Sequence, residues 1–120
     1  MNVLIVDDSR AMRMIVKKTL REAGYDDIDI EEAEDGAKGV EKVREFNPDI
    51  ILSDWNMPNM NGPEFLKTIK AEGYDKPFGF VTTEATSEMR AIAEEAGADF
   101  LIAKPFTADS FSETLDKYMG

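Results

Sequence analysis

Charged side chains stand at the carboxyl ends of three short apolar runs in this sequence. Asp7 and Asp8 follow the first run, Asp54 ends the second, and Lys104 follows the third. If the runs are strands of a parallel α/β sheet, these ends lie at one edge, which is where such sheets bind ligands. Three carboxylates and one ammonium would then share a pocket. That combination suits a divalent cation and a phosphoryl group.

The three carboxylates require a compensating cation. Two carboxylates about 4 Å apart repel by about 4 kcal/mol at an effective dielectric near 20. Mg²⁺ prefers oxygen ligands and is often held by one or two carboxylates together with a phosphate. We therefore predict Mg²⁺ as the cofactor, with Asp8 and Asp54 as ligands and Asp7 either binding directly or placing a coordinated water. The alternative is that Asp7 and Asp8 only cap the first helix, a position that favours Asp.

Asp54 is the predicted reactive group, because an aspartyl carboxylate can attack phosphorus and form an acyl phosphate. Phosphoryl transfer depends mainly on positioning and charge neutralisation, which Mg²⁺ and the Lys104 ammonium would supply. The hydroxyl of Thr82, at the end of a further strand, could donate to a phosphoryl oxygen. The simpler alternatives are that Lys104 is a solvated strand-end lysine and that Thr82 reflects β-propensity alone.

Composition excludes several classes of function. The chain has 120 residues, with 14 basic and 25 acidic side chains and a net charge of −11. This charge disfavours binding to nucleic acid or to an anionic membrane surface. The sequence contains no cysteine and no histidine, so any metal must be held by oxygen ligands. The first apolar run is too short for a signal peptide or a membrane span. We expect a cytoplasmic monomer.

Five apolar segments alternate with five segments of helical periodicity. The predicted strands cover residues 3–7, 28–33, 49–54, 78–82 and 100–103. Five β-α units in succession imply a parallel sheet with right-handed crossovers and helices on both faces. The predicted core-facing stripes include Met12, Ile15, Val16 and Leu20 in the first helix, and Met89, Ile92, Ala93 and Ala96 in the fourth. The pattern occupies the whole chain, so we expect one domain, 1–120, with no attached output domain.

Glycine and threonine residues mark the predicted helix ends. Gly24, Gly73 and Gly97 follow helical stripes at positions where a left-handed residue is favoured. Thr86 and Thr107 are predicted to be N-caps. The glycine at position 79 lies inside a predicted strand, where glycine is unfavourable, and the sequence offers no reason for it.

Four motifs, in order, resemble bacterial response-regulator receiver domains of two-component systems. They are residues 3–8, 53–62, 81–85 and 104–106, and they are most similar to the single-domain chemotaxis (CheY-like) type. The resemblance covers essentially the whole chain. It implies the doubly wound, flavodoxin-like fold with five parallel strands in the order 2-1-3-4-5 and five helices.

The resemblance also implies roles for the acidic residues. Asp54 corresponds to the phosphoacceptor. Asp7 and Asp8 correspond to the acidic pair at the Mg²⁺ site, and the backbone carbonyl of Asn56 to a further metal ligand. Asn56 and Glu84 match positions that tune the lifetime of the acyl phosphate, although Glu84 could also be a solvated residue near the start of a helix.

The remaining implied roles concern the switch. Thr82 corresponds to the switch hydroxyl and Lys104 to the lysine that contacts the phosphate, and the Lys104–Pro105 bond corresponds to one that is cis in the family. Leu101 departs from the pattern, because the family places an aromatic switch residue three positions before the lysine. Neighbouring Phe100 is a candidate to carry the coupling instead.

These assignments predict a phosphorylation-activated signalling switch. The chain would accept phosphate from a CheA-like sensor histidine kinase and then bind a partner, such as a flagellar motor switch protein or a phosphatase, in chemotaxis. It would not be an enzyme beyond self-catalysed phosphotransfer and autodephosphorylation. The alternatives are a phosphate sink or non-flagellar adaptor, a Mg²⁺-dependent aspartyl phosphatase, and a flavodoxin-like binding module. A cap domain and a phosphate-binding loop, which the last two require, are not apparent in the sequence.

Overall fold

A computed structural model describes residues 1–119, and its elements alternate strictly between strand and helix. The strands are β1 (Asn2–Val6), β2 (Asp29–Ala33), β3 (Ile50–Ser53), β4 (Phe78–Thr82) and β5 (Phe100–Ala103). The helices are α1 (Arg10–Glu22), α2 (Gly36–Phe46), α3 (Gly62–Ala71), α4 (Ser87–Ala96) and α5 (Ala108–Met119). Each predicted strand is present, and its bounds agree with the prediction to within one residue.

The five strands form one parallel sheet in the order β2-β1-β3-β4-β5. The predicted fold class and strand order are therefore confirmed. Register sets the geometry of the site, because Val6 pairs with Ser53 and Thr82 pairs with Ala103. Asp7 and Asp54 directly follow the first pair, and Lys104 directly follows Ala103 of the second. All three residues therefore lie at the same edge of the sheet.

The core consists of one apolar cluster on each face of the sheet. Alternate residues of the buried strands point to opposite faces, as the two-residue period of a strand requires. One cluster combines strand residues with α2, α3 and α4, and includes Val40, Phe65 and Ile69. The other combines strand residues with α1 and α5, and includes Val16 and Phe111. This two-sided burial explains why β1 and β3 are continuously apolar.

The glycine inside β4 is explained by its neighbour in β5. Gly79 pairs with Phe100, and the Phe100 ring lies directly over it. A Cβ atom on Gly79 would approach the Phe100 ring to 1.9 Å, so a side chain there would force the ring to move. The same ring packs on Tyr118 of α5, with centroids 5.0 Å apart. Phe100 therefore belongs to the face covered by α1 and α5.

Two of the predicted core positions are exposed. Ile15 in α1 is 48% exposed and Ile92 in α4 is 41% exposed, so their assignment to the core-facing stripes was wrong. In α1 the buried line runs through Val16, Thr19 and Leu20 instead. The Thr19 hydroxyl donates to the Ile15 carbonyl at 2.8 Å. This hydrogen bond satisfies the buried hydroxyl, so a threonine is tolerated in the core.

The predicted helix ends are present. Gly24, Gly73 and Gly97 all have the left-handed backbone expected after a helix. Thr86 caps α4 by accepting from the Met89 amide, and Thr107 accepts from the Ser110 amide at the start of α5. Over residues 1–119, no helix has both the length and the apolar character needed to cross a bilayer.

Candidate functional site

The site lies at the carboxyl edge of the sheet, where β1 and β3 end side by side. The Asp7 amide donates to the Ala33 carbonyl at 3.0 Å, and the Asp54 amide donates to the Val6 carbonyl at 2.8 Å. Both backbones are thus still held by the sheet at the point where their side chains leave it. This attachment gives the two carboxylates fixed starting positions.

Three carboxylates converge at this edge. Asp7, Asp8 and Asp54 each offer an oxygen, and these oxygens all lie within 4.8 Å of one another. Asp7 is buried, Asp54 is half-buried and Asp8 is exposed. Asp7 is also engaged within the protein, since its Oδ1 accepts from the Ser9 amide at 2.9 Å. The cluster therefore has a buried inner side and an outer side that is open to solvent.

Lys104 inserts its ammonium between two of these carboxylates. Its Nζ donates to Asp7 Oδ2 at 3.2 Å and lies 3.7 Å from Asp54 Oδ2, and its side chain is only 9% exposed. The Lys104 amide donates to the Thr82 carbonyl at 2.8 Å, which fixes the start of the turn after β5. The following Lys104–Pro105 bond is cis, as the resemblance implied. One ammonium against three carboxylates leaves the site with excess negative charge.

The environment makes Asp54 more basic than an ordinary aspartate. Burial is the largest cause of the raised pKa of Asp54, followed by the negative charge of Asp7. The Lys104 ammonium and a 2.7 Å hydrogen bond from the Trp55 amide to Asp54 Oδ1 lower that pKa in part. Exposed Asp8 raises it slightly further.

The donor set fits a hard divalent cation. All three clustered groups are carboxylates, and Mg²⁺ binds oxygen ligands at about 2.0–2.1 Å while keeping several waters. Two such ligands on opposite sides of one ion are about 4.1 Å apart, so carboxylate oxygens that lie within 4.8 Å of one another need only small side-chain movements to bind it. Exposed Asp8 leaves one side open for coordinated water. Asn56, whose carbonyl is the further predicted ligand, is exposed in the loop directly after Asp54.

The other predicted residues surround this edge. Thr82 ends β4 and is 1% exposed, and its hydroxyl accepts a long hydrogen bond from the Glu84 amide at 3.4 Å. The Glu84 and Asn56 side chains are exposed, so neither is packed into the protein.

Leu101 and Phe100 point to opposite faces of the sheet. Leu101 is partly buried against the cluster formed with α2, α3 and α4, whereas Phe100 packs on Tyr118 of α5. On the Leu101 face, the aromatic ring next to the site is Trp55, which packs on Phe80 with centroids 4.7 Å apart. Phe100 therefore does not occupy the space of the family's switch aromatic on the α4 face.

Arg13 supports the backbone of the acidic pair, a role that no sequence pattern indicated. Its Nη1 donates to the backbone carbonyl of Asp7 at 2.6 Å, and its Nε donates to Glu32 of β2 at 3.0 Å. Lys17 donates to the other oxygen of Glu32 at 2.9 Å. Burial tends to raise the pKa of Glu32, but these hydrogen bonds lower it overall. No local sequence signal connects Arg13 to a strand 19 residues further along.

Known proteins share this fold and part of this sequence. A family model described as "Response regulator receiver domain" matches residues 3–116. The Vibrio cholerae chemotaxis protein CheY-3 is 41% identical over 119 residues, covering 98% of this chain and 90% of that relative. The Helicobacter pylori chemotaxis protein CheY1 is 40% identical over 124 residues, covering 100% of this chain and 98% of that relative. The solved structure of Vibrio cholerae CheY4 has a TM-score of 0.85 and 34% identity, covering 98% of both chains.

Proposed function

The chain belongs to the response-regulator receiver family, and from this membership we propose that it is a phosphorylation-activated signalling switch. In this proposal it accepts a phosphoryl group on Asp54 from the phosphohistidine of a CheA-like sensor kinase, and then changes its affinity for a partner. The single observation that carries the proposal is the Lys104 ammonium, 3.2 Å from an oxygen of Asp7 and 3.7 Å from one of Asp54. An acid cluster whose charge one buried ammonium compensates only in part is suited to receive an ion and a phosphoryl group together.

The proposed step is a direct displacement at phosphorus. An oxygen of Asp54 forms the new P–O bond while the P–N bond to the kinase imidazole breaks, and the imidazole retains the electron pair and takes up a proton. Asp54 needs no separate base to activate it, because the attacking group is a carboxylate oxygen and not a hydroxyl. Hydrolysis by water later cleaves the acyl phosphate and regenerates Asp54. The only chemistry proposed is therefore self-catalysed phosphotransfer and autodephosphorylation.

Asp7, Asp8, Asp54 and the Asn56 carbonyl would hold Mg²⁺, which supplies positive charge for the phosphoryl oxygens. The protein's own contribution is to position the nucleophile and a second positive charge. Lys104 already lies within reach of Asp54, so its ammonium can follow the oxygens that the transfer adds. The buried Thr82 hydroxyl is the proposed donor to one of those oxygens. Such positioning and neutralisation account for most of phosphoryl-transfer catalysis.

The switch would begin at Thr82. Phosphorylation adds about −1.5 to −2 charges and three acceptor oxygens, which attract the Thr82 hydroxyl and Lys104. The Thr82 hydroxyl now accepts from the Glu84 amide, so its rotation toward a phosphoryl group would release the segment leading to α4. Leu101 lies under α4 at the position of the family's aromatic, and its smaller side chain would give a smaller change there.

Chemotaxis control of the flagellar motor is the proposed pathway, because the curated relatives are chemotaxis proteins. The proposed partners are a CheA-like kinase and a motor switch protein or phosphatase, and we expect the protein in the cytoplasm as a monomer. One observation favours a second candidate, a phosphate sink or non-flagellar adaptor. It is that neither Leu101 nor Phe100 provides an aromatic ring at the switch position on the α4 face.

Two measurements test this proposal. Incubation with a phosphorylated CheA-like kinase should transfer label to the wild type but not to Asp54→Asn, and transfer should require Mg²⁺. Capture of lysate proteins with and without beryllofluoride should then recover a motor switch protein only in the activated state. Labelling of Asp54→Asn would contradict the assignment of the phosphoacceptor. Recovery of the same partners in both states would favour the sink or adaptor.

A further inference from the structure

The loop that follows Asp54 is tied to the start of α2, an element that does not contribute to the acid cluster. This loop, residues 55–61, connects β3 to α3 and carries Asn56. The Gly62 amide donates to the Trp55 carbonyl at 2.8 Å, which closes the base of the loop. Its tip, Asn59 and Met60, contacts the N-terminal turn of α2.

Asp35 is the centre of the first contact. Its side chain is buried, with the residue 5% exposed, and its two oxygens serve two elements. Oδ1 accepts from the Lys38 amide at 2.8 Å and so caps α2, while Oδ2 accepts from the Asn59 side-chain amide at 2.8 Å. The Lys38 hydrogen bond is the main cause of the lowered pKa of Asp35, and the Asn59 amide lowers it further in spite of burial.

A second contact joins the same two elements through the backbone. The Gly36 amide donates to the Met60 carbonyl at 3.1 Å. The approach is close enough that a Cβ atom on Gly36 would lie 2.6 Å from that carbonyl oxygen. The loop reaches this position only because Asn59 adopts a left-handed backbone, with φ of 66°. A non-glycine residue in that region carries a conformational cost, which the Asp35 hydrogen bond offsets.

The backbone around Asn56 is therefore held at both ends, by the end of β3 on its N-terminal side and by the loop tip on its C-terminal side. Only residues 56–58 lie between the Trp55 carbonyl, which is bonded to Gly62, and Asn59, which is bonded to Asp35. The exposed Asn56 side chain has no role in this anchoring. The direction of the Asn56 carbonyl thus depends on bonds made by residues that never touch the ion.

We propose that Asp35 and Asn59 are positioning residues for the divalent-cation site, acting by holding the 55–61 loop so that the Asn56 carbonyl faces the acid cluster. The inference rests on the proposed function, because it assumes that the cluster binds Mg²⁺. Groups that orient metal ligands typically change metal affinity about 10–100-fold when they are removed. Since the anchor lies several residues from the ligand, we expect a loss near the lower end, about 10-fold.

The decisive variant is Asn59→Gly. Glycine favours the left-handed backbone at this position, so the fold should keep its stability while the loop loses its bond to Asp35. Mg²⁺ affinity, measured by titrating Trp55 fluorescence at pH 7 and constant ionic strength, should fall about 10-fold. Urea unfolding with and without Mg²⁺ gives the same affinity independently, through the stabilisation that the bound ion confers.

A swap of the two partners provides the rescue. Asn59→Asp alone sets two carboxylates against each other, and should bind Mg²⁺ more weakly than the wild type. Asp35→Asn alone retains a good N-cap, and the Asn59 amide can turn to present its oxygen to the new amide group, so this variant should bind Mg²⁺ about as tightly as the wild type. The double variant, Asp35→Asn with Asn59→Asp, restores one donor and one acceptor, and should recover most of the lost affinity. The negative charge that Asn59→Asp adds near the ion would by itself strengthen Mg²⁺ binding. Weaker binding by this variant therefore reflects the lost hydrogen bond and not the change of charge.

Val40→Ala is the matched control, because it loosens the buried face of α2 without touching the anchored turn. It should lower stability and leave the Mg²⁺ dissociation constant within about 2-fold. The inference is overturned if Asn59→Gly binds Mg²⁺ as tightly as the wild type, or if Val40→Ala weakens binding as much as Asn59→Gly does. A wild type that shows no Mg²⁺ response at all would instead refute the metal site of the proposed function, and this inference with it.

Discussion

Neutralising Asp54 should stabilise the fold in the absence of divalent cations, even though Asp54 is the proposed phosphoacceptor. Asn is nearly isosteric with Asp, so Asp54→Asn removes charge and little else. Carboxylate oxygens of Asp7 and Asp8 lie within 4.8 Å of an oxygen of Asp54. Each such pair repels by at least about 3.5 kcal/mol at an effective dielectric near 20. The Lys104 ammonium, 3.7 Å from Asp54, attracts with about 4.5 kcal/mol at the same dielectric.

The balance of these interactions sets the size of the gain. Asp54 faces two like charges and one opposite charge, so about 2.5 kcal/mol of net repulsion remains at this dielectric when both carboxylate pairs are taken at the 4.8 Å limit. Screening at exposed Asp8 weakens one repulsive pair, while partial burial of the Asp54 carboxylate adds a desolvation cost that Asn avoids. We therefore expect Asp54→Asn to raise the free energy of unfolding by about 1–2 kcal/mol at pH 7.

The pH dependence distinguishes this explanation from better packing. Because the folded-state pKa of Asp54 is raised, its ionisation costs stability as pH rises through that pKa. The advantage of Asp54→Asn should be complete above the folded-state pKa, shrink as pH falls through it, and vanish below about 3.9, the unfolded value. Urea unfolding in EDTA from pH 4 to 7 measures this difference.

Two further variants make the reasoning refutable. Lys104→Met should have the opposite sign and lose about 3 kcal/mol, because it leaves the buried Asp7 carboxylate without its ion pair. Asp27→Asn removes the same formal charge from an exposed site and should change stability by less than about 0.5 kcal/mol. A destabilised Asp54→Asn, or a gain of stability that does not decline toward low pH, would show that repulsion within the cluster is not what limits stability.

Three further predictions concern the ion, the lifetime of the phosphate and the sheet. Mg²⁺ should raise the free energy of unfolding of the wild type more than that of Asp54→Asn, as measured by urea unfolding at several Mg²⁺ concentrations; equal gains would place the ion elsewhere. Asn56→Ala and Glu84→Ala should each change the rate of dephosphorylation after loading with acetyl phosphate, and unchanged decay in both would remove their assigned role. Gly79→Ala should lower the free energy of unfolding by about 1–3 kcal/mol through overlap with the Phe100 ring. Adding Phe100→Ala to the same chain should relieve much of that loss. If Gly79→Ala has the stability of the wild type, the ring moves aside freely.

The convergence of the acid cluster could be predicted from sequence because it depends on one rule of topology. Parallel strands bring their carboxyl ends to one edge, so Asp7, Asp54 and Lys104 needed only the correct assignment of three short apolar runs. Those runs were easy to recognise because the strands are buried on both faces. The same rule provides no distances, and the 3.2 Å contact between Lys104 and Asp7 follows only from the register of the strands.

The residues that hold the site in place could not be predicted in this way. The Arg13–Glu32 and Asp35–Asn59 contacts join positions 19 and 24 residues apart, and each member alone resembles an ordinary helix or loop residue. Ile15 was misassigned for a different reason. The apolar stripe of α1 is wide, and hydrophobicity alone does not show which side of such a stripe faces the sheet. In this helix the buried side includes Thr19, whose hydroxyl is hydrogen-bonded to the Ile15 carbonyl. A polar residue at a buried position hides the true direction of the stripe.

The contact between Gly79 and Phe100 has a consequence for how this sequence can diverge. A side chain cannot be acquired at position 79 while the aromatic ring covers it, but loss of the ring would leave a void over the glycine and expose Tyr118. Each single step lowers stability, whereas the paired change could restore packing. Homologues should therefore contain either the glycine with the aromatic residue or a larger residue at 79 with a smaller one at 100. Mixed combinations should be rare, so the two positions should covary during evolution although neither touches the phosphorylation site.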